Sequence, residues 1–170
     1  LAAIACALDM GIALDDILMG LSNFGGTKRR FEYKGNLGTV RIIDDYAHHP
    51  TEIAATLSSA KELDYDELWV IFQPHTYTRT IAFLDDFAKV LATADHVILA
   101  DIYAAREPDL GQVSSKDIAD RIAVIGTDVH YFKTFEEIKE FAKANVKGRD
   151  ILMTVGAGNV VNIADELVAV

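Results

Sequence analysis

The apolar and polar positions of this chain change period several times, and each change marks an element. Residues 1–10 and 15–22 carry apolar side chains at helical spacing, with Gly11 between them, which predicts two short helices. Gly25-Gly26 then marks a flexible junction and a candidate domain boundary, so residues 1–24 are expected to stand apart from 25–170. Residues 31–33 and 39–43 flank Lys34-Gly35-Asn36 in the manner of a β-hairpin. Four further apolar runs, 68–72, 96–100, 129–132 and 151–155, have the length of buried strands, and helical patterns lie between them. Ser114 with Asp117 and Thr134 with Glu137 have the spacing of helix-capping boxes. The expected fold is α/β, a doubly wound, mostly parallel Rossmann-like sheet with an N-terminal β-hairpin and a short helical lead-in.

In such sheets ligands gather beyond the carboxyl ends of the strands. After residues 39–43 comes Asp44-Asp45-Tyr46-Ala47-His48-His49-Pro50-Thr51-Glu52, with Pro50 suited to the first position of the next helix. After 68–72 comes Gln73-Pro74-His75-Thr76-Tyr77-Thr78-Arg79-Thr80, after 96–100 Asp101 to Glu107, and after 151–155 Gly156 to Asn159. Only the loop after Phe132 lacks a comparable cluster. His75 and Arg79 lie on a loop opening into a helix, where backbone N–H groups and the helix dipole favour an anion. Arg29 and Arg30 could grip a phosphate or carboxylate, or form a solvated basic patch. His48, His49 and His75 could be read as metal ligands, but a zinc site normally takes three or four convergent ligands, and no metal is assigned to them. Arg106 and Glu107 either form an ion pair that shapes the cleft or touch substrate. Gly156-Ala157-Gly158 lacks the third glycine of a dinucleotide turn and follows the last strand, so a close backbone approach is the simpler reading.

With Lys28-Arg29-Arg30-Phe31-Glu32, these segments resemble the C-terminal domain of the Mur ligase family, specifically of members that join L-alanine to UDP-N-acetylmuramate in peptidoglycan synthesis. The resemblance runs over nearly the whole chain. It implies that Tyr46, His48, His75 and Arg79 receive the incoming amino acid, that Arg30 approaches the phosphates of ATP, and that Asp45 accepts from the ATP ribose. Gly156, Gly158 and Asn159 would line the cleft, with Arg106 and Glu107. Thr76 stands where many family members have a second arginine. Residues 1–24 would be the tail of a preceding central ATPase domain. The chain has no G-x-x-x-x-G-K-[ST] loop, so the P-loop, the Mg2+ ligands and the UDP-sugar domain of such an enzyme would precede Leu1, and this piece alone is expected to be inactive. Two alternatives stay open: a murein tripeptide recycling ligase, and a non-catalytic nucleotide-binding module.

Composition trims the alternatives. Acidic residues outnumber basic ones 26 to 16, for a formal charge of −10, which opposes sequence-independent binding to nucleic acid. No apolar run reaches bilayer length, and no membrane partner is expected. Cys6 is the sole cysteine, which excludes an internal disulfide; it is expected to be a small core residue, and a cytoplasmic location is compatible with it.

Overall fold

The computed structural model describes residues 1–169. Two helices lead in, α1 (Ala2–Asp9) and α2 (Leu14–Ser22). A hairpin follows, β1 (Glu32–Leu37) and β2 (Val40–Asp45), and then α3 (Pro50–Lys61), β3 (Leu68–Phe72), α4 (Tyr77–Ala82), α5 (Leu84–Leu91) and β4 (His96–Leu99). The chain ends with α6 (Ser115–Ile125), β5 (Asp128–Tyr131), α7 (Phe135–Asn145), β6 (Ile151–Val155) and α8 (Val161–Val168). The strands form one sheet in the order β1-β2-β6-β3-β4-β5, parallel except for the antiparallel β1–β2 pair.

Successive side chains of a strand point to opposite faces, so each central strand feeds two cores. Leu68, Val70 and Phe72 of β3 pack with Ile53 and Leu57 of α3, Phe87 and Leu91 of α5, and Ile118 and Ile122 of α6. Trp69 and Ile71 face the other way, toward Ile138 and Ala142 of α7 and Ile163 and Leu167 of α8. The chain therefore runs outward from β2 through β3, β4 and β5 with its crossover helices on one face. It then returns by α7 on the other face to place β6 between β2 and β3. The loops after β2 and β3 lead to one face and the loop after β6 to the other, which opens a crevice at the carboxyl edge where the winding reverses.

The α/β expectation holds, with local corrections. Lys34-Gly35-Asn36 is strand rather than turn; the reversal falls at Gly38 and Thr39, and a register shift between Tyr33 and Gly35 absorbs the extra residue. Gly38 has φ 60°, which the turn requires and which glycine adopts without steric cost. The helix after β3 breaks at Phe83 into α4 and α5. Both predicted capping boxes form, with Glu137 accepting from Thr134 N at 3.0 Å and Asp117 from Ser114 N at 2.7 Å. Cys6 is exposed, not core, because α1 buries none of its side chains.

Candidate functional site

The first loop is fixed by its own polar groups. His49 caps α3, its Nδ1 accepting from Thr51 N at 3.3 Å, while Pro50 opens the helix. Glu52 Oε2 accepts from the backbone N–H of His48 at 3.0 Å and of His49 at 3.3 Å, and these bonds hold its carboxyl below the usual range. His48 is thereby turned so that Nδ1 lies 3.1 Å from the Tyr46 carbonyl and 3.3 Å from Glu52 Oε2.

Arg29 ties three segments together. Its guanidinium donates to Asp44 Oδ2 at 3.1 Å, to the Gly158 carbonyl at 3.1 Å and to the Gly156 carbonyl at 2.6 Å, and it lies 4.8 Å from the centre of the Tyr46 ring. Asp44 is fully buried, which pushes its carboxyl up, although bonds from Thr154 and Arg29 act against that. Of the two neighbouring arginines, Arg29 is committed to the fold. Arg30 is exposed, with its guanidinium 5.8 Å from the Tyr46 ring centre.

The loop after β3 meets the loops after β4 and β6. Pairing of β3 with β4 continues past the strands through a bridge between His75 and Tyr103, where Thr76 N donates to the Tyr103 carbonyl and Tyr103 N to the Pro74 carbonyl. The Tyr103 ring stacks on His75 at 5.5 Å between centres. Arg79 Nη1 lies 3.2 Å from His75 Nδ1 and can only donate to it. Burial lowers the His75 pKa, and the charges of Arg79 and His48 add to this while Glu107 opposes it. Gln73, buried at the end of β3, accepts from Val160 N and donates to Asn159 Oδ1 at 3.0 Å. Gly156 and Gly158 press so close that a Cβ on Gly156 would lie 2.7 Å from the Gln73 carbonyl oxygen, and one on Gly158 2.8 Å from Tyr103 Cγ. Among the described residues four non-glycine residues have positive φ, namely Arg29, Phe31, Thr76 and Ala105, and all lie in the segments that meet at this edge. Such conformations cost on the order of 1–2 kcal/mol each and persist where surrounding bonds fix them.

The structure thus brings Tyr46, His48, His75 and Arg79 together, with the Tyr46 and His48 rings 5.6 Å apart and His48 and His75 6.1 Å apart. Asp45 is buried, with Oδ2 accepting from Phe31 N and Oδ1 from Ala47 N and Thr56 Oγ1, so three of the four lone-pair positions of its carboxylate are committed to the fold. Arg106 and Glu107 form no ion pair; Glu107 instead accepts from Thr78 N at 2.9 Å and Thr78 Oγ1 at 2.5 Å, tying its loop to the start of α4. Among the described residues no three His, Cys, Asp or Glu side chains converge as a metal-ligand set. Gln73 and Tyr103 are the functional neighbours that residue-by-residue reading missed. An amide directly after five apolar strand residues is the available signal, since a buried amide must find partners.

Residues 29–158 match the model of the Mur ligase, glutamate ligase domain. The chain belongs to the Mur ligase family. Among its Mur ligase relatives, the UDP-N-acetylmuramate–L-alanine ligase of Agathobacter rectalis is 56% identical over 98% of this chain, and that of Clostridium novyi 47% identical over 97%. The chain spans 36% of the length of each, about a third of these curated relatives. In structure it resembles a UDP-N-acetylmuramate-alanine ligase of Thermotoga maritima, with TM-score 0.78 and 29% identity over 99% of this chain and 35% of that one. A murein peptide ligase of Psychrobacter arcticus gives TM-score 0.70 at 27% identity, covering 98% of this chain and 35% of that one.

Proposed function

We propose that this chain is the amino-acid-binding C-terminal domain of an ATP-dependent ligase that joins L-alanine to UDP-N-acetylmuramate through an acyl phosphate. The observation that carries the reading is the convergence of Tyr46, His48, His75 and Arg79 at the crevice mouth, in a chain 56% identical to a protein of that name. Arg79 is a fixed cation for the amino acid's carboxylate. The neighbouring rings confine the rest of a small amino acid near the reacting carbonyl, and orientation of this kind supplies much of the acceleration of amide formation. Arg30, exposed beside Tyr46, is free to reach an ATP phosphate when the domain closes on its neighbour. Mg2+ in such a reaction would neutralise phosphate charge; among the described residues no three His, Cys, Asp or Glu side chains converge as a ligand set, and on this reading its ligands lie mainly in a preceding domain.

Residues 1–24 fit the tail of that preceding domain. α1 buries no side chain and α2 only Ile17, while Leu8, Met10, Leu14, Leu18 and Met19 are exposed. The deciding experiment is ADP release by the full-length enzyme with UDP-N-acetylmuramate and either L-alanine, murein tripeptide or no acceptor. Release that depends on L-alanine is expected. Dependence on tripeptide would move the assignment to a recycling ligase, and no acceptor dependence would leave a binding module.

A further inference from the structure

We propose that His48 is the base that takes the proton from the incoming amine, while His75 beside it serves as a hydrogen-bond donor, so that two adjacent imidazoles act in opposite tautomers. The inference deepens the ligase reading above and rests on it. An amino acid in neutral water carries an ammonium group, which has no lone pair with which to attack. One proton must leave before the nitrogen can bond to the acyl phosphate carbon, and a side chain in the cleft has to receive it.

Hydrogen-bond direction assigns the receiver. The Tyr46 carbonyl and the Glu52 carboxylate can only accept, so His48 Nδ1, 3.1 and 3.3 Å from them, carries the hydrogen. That leaves His48 Nε2 as a bare acceptor on the opposite side of the ring. For His75 the direction is reversed: a guanidinium can only donate, so Nδ1 accepts from Arg79 and the hydrogen sits on Nε2.

The other ionisable groups facing this cluster are occupied. Glu52 holds His48, Glu107 accepts from Thr78, and Asp44 and Asp45 are buried against Arg29, Thr154 and backbone N–H groups. Arg29, Arg30 and Arg79 cannot accept a proton, and a neutral Tyr46 phenol is a poor acceptor. Glu52 behind Nδ1 also stabilises the imidazolium that forms, as a carboxylate does behind any histidine base.

The step balances. A proton passes from the ammonium to His48 Nε2, the freed nitrogen pair bonds to the acyl carbon, and the C–O bond to phosphate breaks with its electron pair on phosphate. The second amine proton leaves to solvent or phosphate, giving the amide.

The test compares two nucleophiles in the full-length enzyme. Hydroxylamine is largely unprotonated at neutral pH and traps an acyl phosphate as hydroxamate without needing a base. His48→Asn keeps an N–H donor at the Nδ1 position and removes Nε2. We expect the L-alanine kcat to fall about 100-fold or more, in the range of general-base effects, with hydroxamate formation within about threefold of wild type. An unchanged L-alanine rate, or a raised KM with kcat intact, would overturn the proposal and leave His48 a binding residue. Should His48→Asn lose both reactions, Glu52→Gln decides. A selective loss of about tenfold with L-alanine sustains the base, and parity between the two nucleophiles refutes it. Failure of the ligase reading itself looks different, since wild type would then release no ADP in response to L-alanine.

Discussion

On the proposed ligase reading Arg79 would have two tasks, one toward the amino-acid carboxylate and one toward His75, and they separate experimentally. Replacing it with Ala in the full-length enzyme should raise the KM for L-alanine about 10- to 100-fold, the worth of a charge-assisted pair, while the KM for ATP moves little; steady-state kinetics with each substrate varied checks this. The same substitution should move the His75 pKa upward, because burial and the charge of His48 then remain to lower it without Arg79, and an imidazole titration followed by NMR reads the change. The folded His75 binds a proton less readily than the unfolded one, so stability is lost as pH falls below the unfolded value near 6.5 and through the lower folded one. Denaturant unfolding at pH 7.5 and 5.5 should therefore show an acid-side decline that His75→Gln reduces. At this scale the sequence was informative about which residues meet but not about which way they point. His75 and Arg79 could be paired from their spacing, whereas nothing local in Arg29-Arg30 marks Arg29 as the one that turns inward, nor in Asp44-Asp45 that both do. The orientation of Arg29 depends on carbonyls from Gly156 and Gly158, more than 120 residues away along the chain.

Elements at the crevice are held by close approaches. Gly158→Ala would drive a methyl group into the Gln73 side chain and Tyr103, and overpacking of this sort costs about 1–3 kcal/mol. Urea unfolding should report that loss, and the L-alanine KM should rise with it because Tyr103 stacks on His75. Arg29→Met would leave the buried Asp44 without its cation, for a loss on the order of 3 kcal/mol at pH 7.5. The loss should shrink toward pH 4, where Asp44, already raised by burial, takes up a proton; the same denaturation series tests it. Most helices and the strands β3 to β6 were readable because their apolar runs and caps are local. The β1–β2 turn was not, because Lys34-Gly35-Asn36 looks like a turn in isolation and only the bulge against β2 makes it strand.

For the whole molecule, the sheet and its two cores carry the stability, and the lead-in helices add little. Removing residues 1–24 should change the unfolding free energy by less than about 1 kcal/mol, since Ile17 is the sole side chain they bury and an exposed helix contributes little without packing; the urea midpoint of the shortened chain measures it. The α/β class was legible from alternation alone, but the strand order was not, because β6 could have been added at an edge. Its position between β2 and β3 bears on how the chain folds during synthesis. The middle of the sheet is the last strand to be made. Until the ribosome releases residues 151–155, β2 and β3 flank an open slot with unpaired backbone on both sides. Such late, non-local closure slows folding and exposes edges that a neighbouring nascent chain can fill with its own β6. Loss of even the final twenty residues would therefore split the sheet, whereas loss of the first twenty would leave it whole.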